Sequence, residues 1–113
     1  MSENNAIVYL YGFNLRRNDL LESLLKILNE QIKQKIKISI VLIQDGIIGT
    51  SQKSKMPPAL EQLLKLPIII YAMIPDIQAR GMDSKDIRNN IKAINYEDLV
   101  DILVTTPKIV SWV

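Results

Sequence analysis

The sequence predicts an α/β fold built on a mainly parallel sheet of about five strands. Three observations carry that prediction. Short apolar runs rich in β-branched residues recur along the whole chain. Helical segments separate them, so strand and helix alternate from end to end. The better-defined runs are apolar on both faces, as strands covered by helices must be. The 113 residues fit one domain, 1–113, with no linker, internal repeat or low-complexity tract to divide it.

Residues 6–11 (AIVYLY) make the first run, stopped by Gly12. Asn18 or Asp19 is placed to cap the helix that follows. In it Leu20, Leu21, Leu24, Leu25, Ile27, Leu28 and Ile32 recur at helical spacing, with Lys26, Glu30, Lys33 and Lys35 opposite. Residues 38–43 (ISIVLI) read as a second strand that ends at Gln44, Asp45 and Gly46. A polar stretch, 49–55, leads to Pro57 and Pro58, and proline suits the first turn of a short helix over 59–65. Pro67 precedes a third strand, 68–73. A helical turn over 76–80 is closed by Gly81, and a second short helix is predicted over 84–89. Residues 91–94 form a brief fourth strand. Asn95 then caps a helix with Glu97 and Asp98 in its first turn, where negative charge suits the helix dipole. Thr105, Thr106 and Pro107 end it before a last strand at 109–113.

Composition removes several function classes. The chain has no cysteine, so neither a disulfide nor a thiolate nucleophile can form. It has no histidine, the commonest general base and metal ligand. No carboxylate spacing argues for a metal site, and no cofactor is expected. The net charge of +2 is spread along helices and loop edges, so direct nucleic-acid binding is not expected. The polar, acidic start (MSENN) is no signal-peptide n-region, and the apolar stretch 66–74 is interrupted by Pro67 and too short to span a bilayer. These features predict a soluble, cytoplasmic protein without membrane contact.

Ligands on parallel sheets gather at the carboxyl ends of strands, so the loops there are the candidate sites. After the first strand, Arg16 and Arg17 stand close to a helix N-terminus, where an anion could sit. Gly12 is alone, however, and no glycine-rich phosphate loop is present, which leaves solvated surface or an interface as the simpler reading. After the second strand, Asp45 could serve as a base or ligand. An Asp45–Gly46 pair is more simply a turn, with the glycine at positive φ. Ile47 and Ile48 are large apolar residues just past that turn, suited to a helix tucked onto the sheet or to a subunit contact. The polar 49–55 stretch reads as a mobile loop. After the third strand, Asp76 and Arg80 stand four apart on one helical turn, a weak surface pair. Trp112 reads as a core or interface residue. No nucleophile, base and acid set can be assembled, so the chain is expected to be no enzyme.

Three segments, taken together and in order, carry a resemblance. VLIQDGII (41–48), IYAMIPDIQARGM (70–82) and INYEDLVDILVTTPKIVSWV (94–113) are similar to elements of the DsrE/DsrF/DsrH sulfur-relay family. The chain most resembles its DsrH/TusB-like branch. That resemblance implies a three-layer α/β/α domain and assembly with DsrE/TusD-like and DsrF/TusC-like partners. It also implies sulfur relay in the cytoplasm, toward 2-thiouridine in tRNA or in sulfur oxidation. In such assemblies the persulfide cysteine belongs mainly to the DsrE/TusD-like subunit. The first helix here reads LLESLLKIL, so no catalytic residue of the family carries over. The resemblance thus implies a non-catalytic subunit that scaffolds a thiol-bearing partner. The alternative is a self-associating α/β domain binding an anion at Arg16, Arg17 and the Asp45–Gly46 loop.

Overall fold

The computed structural model describes residues 5–113. The polar opening at 1–4, read above as no leader, lies outside them. Five strands, β1 (Ala6–Tyr11), β2 (Lys37–Leu42), β3 (Ile69–Met73), β4 (Ile91–Ile94) and β5 (Lys108–Trp112), form one sheet in the order β4-β3-β2-β1-β5. Every neighbouring pair is parallel. The helices are α1 (Asn18–Lys33), α2 (Pro58–Leu64), α3 (Ile74–Ala79) and α4 (Tyr96–Thr105).

The topology follows from the direction of the crossovers. From β1 to β4 the chain steps one strand at a time toward one edge; from β4 it returns past all of them to β5. Parallel crossovers are right-handed, so reversing direction moves the connecting helix to the opposite face. One face therefore carries α1 and α2, and the other carries α4. On the first, Ile7, Tyr9 and Tyr11 of β1, Ile38, Ile40 and Leu42 of β2, and Ile70 and Ala72 of β3 pack with Leu21, Leu24, Leu25 and Leu28 of α1 and with Leu60 and Leu63 of α2. On the second, Val8, Val41, Met73 and Ile94 meet Leu99, Ile102 and Leu103 of α4. This is the three-layer α/β/α arrangement. Burying a leucine contributes about 2 kcal/mol, so the larger first cluster dominates the core.

Local chemistry explains most element ends, and corrects some expectations. Asn95 caps α4 in a capping box: its side chain accepts from the Asp98 N–H at 2.9 Å, and Asp98 accepts from the Asn95 N–H. α1 is different. Its N-cap is Arg17, without a side-chain cap. The Asn18 side-chain Oδ1 is spent on another helix, accepting from the Ala59 N–H in the first turn of α2 at 2.9 Å. The short helix predicted over 84–89 is only a 3-10 turn, Ser84–Asp86. It stops there because the chain turns extended at Ile87 to bridge Ser51.

Candidate functional site

The carboxyl ends of the strands bring most of the sequence-predicted residues together. β1 runs into Gly12, whose N–H donates to the Trp112 carbonyl of β5 at 2.8 Å. The Ile43 N–H donates to the Tyr11 carbonyl at 3.0 Å. A 3-10 turn, Gln44–Ile47, then folds back against the end of β1. The expected positive φ is present in that turn, but Gln44 adopts it and Gly46 does not. Glycine is required at 46 for space instead: a Cβ there would lie 2.4 Å from the Tyr11 carbonyl oxygen.

Ile47 is fully buried inside the chain, so it belongs to the core and offers nothing to a partner. Ile48 is half-buried. Arg80, the C-cap of α3, reaches across to Asp45 and ion-pairs with it. The pair expected on one helical turn, Asp76 with Arg80, does not form, because the Arg80 side chain follows the longer-range carboxylate. Trp112 is half-buried, its ring tilted against Tyr11 with centroids 6.1 Å apart. The Tyr11 hydroxyl is buried without a hydrogen-bond partner. Burial pushes this phenol up to about 12, against the pull of Arg17.

The two arginines after β1 differ. Arg17 ion-pairs with Asp19 at 3.1 Å, and that hydrogen bond holds the Asp19 carboxyl below its ordinary range. Arg16 is exposed, and among the described residues no carboxylate lies within ion-pairing distance of it.

The 49–55 loop is tied down, contrary to the mobile loop expected. Its organiser is Arg88, a residue that sequence reasoning missed. Arg88 is only 8% exposed, and its guanidinium donates to the carbonyls of Gly49 at 3.1 Å and Ser54 at 3.0 Å. Its own N–H donates to the Thr50 carbonyl at 2.8 Å, and the Gln52 amide bonds the Ile87 carbonyl at 2.9 Å. A charge in a polar run reads as solvated; only the folded neighbours reveal that it is buried.

The other feature missed is a surface. α4 has no fully buried residue and, among the described residues, is the one helix on its face of the five-stranded sheet. Tyr96, Val100 and Val104 recur every four residues and are 65%, 54% and 78% exposed. At about 100° per residue they occupy one flank of α4. The opposite flank, Asp98 and Asp101, borders Tyr71 and Lys92 at the β3–β4 edge. The apolar flank therefore overlooks the β1–β5 half of the sheet. There Ile109, which shares a face with Val8, is 46% exposed. Among the described residues β5 pairs only with β1, so its outer edge is open. Among the described residues no group of acidic residues is arranged to hold a metal, and no helix is long and apolar enough to cross a membrane.

Residues 16–109 match the family described as DsrH like protein. The chain belongs to the DsrH family. Within it, this chain is similar to Protein TusB of Pectobacterium parmentieri, with 32% identity over 74 residues, 66% of this chain and 74% of that one. Protein TusB of Escherichia coli K12 is 34% identical over 73 residues, covering 65% and 73%. These relatives place the chain in the TusB-like branch. The fold is also similar to that of the ychN protein from E. coli, with TM-score 0.72, 14% identity, and 96% and 99% of the two chains covered. A protein of unknown function from Methanobacterium thermoautotrophicum, MTH1491, gives TM-score 0.71 at 16% identity over 94% and 96%. At such low identity these two likenesses concern the fold alone. At its strand ends this DsrH-family chain carries a packed corner closed by the Asp45–Arg80 ion pair.

Proposed function

We propose that this chain is a non-catalytic, TusB-like subunit of a sulfur-relay complex. It scaffolds a partner that carries the persulfide cysteine. One observation carries the reading: a member of this family without any cysteine must leave the sulfur to another chain, because the thiolate is the sulfur-bearing nucleophile. The partners are DsrE/TusD-like and DsrF/TusC-like subunits, the setting is the cytoplasm, and the sulfur goes toward tRNA 2-thiouridine or serves sulfur oxidation. The apolar flank of α4, with Ile109 and the open edge of β5, supports the reading. Exposed apolar side chains beside an unpaired sheet edge suit a subunit contact better than water.

The test is co-expression of the chain with DsrE- and DsrF-like proteins from the same genome. Co-purification in fixed stoichiometry is expected, as is slower sulfur transfer from the partner's cysteine when this chain is omitted. An assembly that stays intact and transfers sulfur at the normal rate without this chain would overturn the proposal.

A further inference from the structure

Away from the α4 face, the loop after β1 and the loop before α2 enclose a cleft of about 420 Å³. Its lining is Arg16, Lys55, Met56, Pro57 and Pro58. We infer that this cleft is a docking site for an acidic polypeptide segment of a partner protein. An apolar side chain of that segment enters the cleft, and flanking carboxylates meet Arg16 and Lys55.

The charges argue first. Arg16 and Lys55 are both exposed, and among the described residues neither has a carboxylate within ion-pairing distance. Among the described residues neither side chain donates a hydrogen bond; only the Arg16 backbone N–H is engaged, to the Asn14 side chain at 2.8 Å. Arg17 next door is already neutralised by Asp19. The cleft thus presents two cations with nothing of its own to satisfy them.

The backbone on which they stand is fixed. Leu15, immediately before Arg16, is fully buried, and its N–H donates to the Ile48 carbonyl at 3.0 Å. Ser54, immediately before Lys55, is held by Arg88. Pro57 and Pro58 have restricted backbones, so little conformational freedom is lost when a segment binds.

The floor then selects between ligands. A phosphate or thiosulfate needs several donors converging on its oxygens. Pro57 and Pro58 have no N–H to give, and the Ala59 N–H is taken by Asn18. The Met56 thioether and the proline rings are apolar and suit an aliphatic side chain, with methionine able to adapt its shape. Two cations at the mouth of an apolar cleft therefore match a leucine or isoleucine flanked by Asp or Glu. This inference stands whether or not the sulfur-relay reading does.

The experiment uses the full chain, labelled with ¹³C at the methionine methyls, with the Met56 resonance assigned through Met56→Leu. The probe is the capped peptide acetyl-Glu-Glu-Leu-Leu-Glu-Glu-amide at low ionic strength. The Met56 methyl should shift saturably, with Kd on the order of 0.1–1 mM, as a small contact allows. The charge-reversed double variant Arg16→Glu, Lys55→Glu should weaken binding about tenfold or more, whereas Lys26→Glu on the outer side of α1 should not. Replacing the peptide's leucines by serine should abolish the shift. An unmoved Met56 methyl at about 5 mM peptide, or equal binding by the double variant, would overturn the inference. So would saturable binding of inorganic phosphate at Met56 where the peptide has no effect, which would mark a small-anion site. A Met56 shift that depends on protein concentration without peptide, with a dimer in sedimentation, would assign the cleft to a second copy and equally overturn it.

Discussion

Arg80 at the end of α3 ion-pairs with Asp45 in the turn after β2, 35 residues earlier in the chain. The contact joins the loops that follow two adjacent strands. The Arg80 side chain is 29% exposed and that of Asp45 62%, so solvent screens the pair. Arg80→Ala is expected to cost no more than about 1 kcal/mol of stability, read from urea denaturation with an unchanged m-value. A larger loss would mean that the pair also orders the turn.

Two glycines should respond differently to the same substitution. A Cβ at Gly46 would meet the Tyr11 carbonyl oxygen at 2.4 Å, and the Tyr11 backbone cannot yield without disturbing the β1–β2 ladder. Gly46→Ala is expected to cost about 2–3 kcal/mol, in the range of overpacking. Gly81 has open space around it but a φ of 70°. Gly81→Ala should cost only about 1 kcal/mol, the left-handed penalty alone. Equal costs at the two positions would contradict the steric account.

Arg88 is expected to govern the 49–55 loop. Arg88→Met keeps much of the volume but leaves the Gly49 and Ser54 carbonyls without their donor. Hydrogen bonds to a charged group contribute about 1.5–3 kcal/mol each, so a loss of at least that order is expected. Amide exchange at Thr50, Gln52 and Ser54 should quicken more than exchange in α1. Protection unchanged in the loop would show that Arg88 is not its clamp.

Tyr11 sets an alkaline limit. Its phenol is pushed up to about 12 by burial, whereas an unfolded tyrosine ionises near 10. Between these values the folded chain keeps a proton that the unfolded chain has lost. Stability should therefore fall as pH rises from about 10 to about 12, by up to about 1.4 kcal/mol per pH unit, and be unaffected at pH 7. Tyr9, also raised by burial, acts in the same direction. Tyr11→Phe should flatten the slope. Because the hydroxyl has no partner, that variant should be at least as stable as the parent at neutral pH. Destabilisation by more than about 1 kcal/mol would reveal a hydrogen bond to the phenol.

The strands were legible because burial on both faces leaves continuous apolar runs, and the α4 cap because Asn95 and Asp98 act within four residues of each other. Features that depend on distant neighbours were not. Asn18 looks like the cap of its own helix, yet it caps α2 through Ala59. Asp76 is the nearer partner for Arg80 in sequence, but the fold brings Asp45 into reach. Gly46 reads as a left-handed turn residue, while the constraint is its approach to Tyr11. Arg88 carries no local mark of burial at all. The loops after β1, β2 and β3 lie together at one end of the sheet, as parallel strands require. The exposed flank of α4 was hidden, since the four-residue spacing of Tyr96, Val100 and Val104 does not tell a buried face from an exposed one.

In the proposed assembly the apolar face of α4 and β5 holds this chain in a complex whose thiol lies elsewhere. The most direct test is Val104→Asp, at a residue 78% exposed, followed by light scattering on a sizing column. The variant alone should keep the parent's thermal stability, because the side chain is in water in the free chain. Co-expressed with DsrE- and DsrF-like partners, it should fail to co-elute with them, while the unaltered chain does so in fixed stoichiometry. Co-elution of the variant in the same stoichiometry would remove this face from the assembly and overturn the proposed contact.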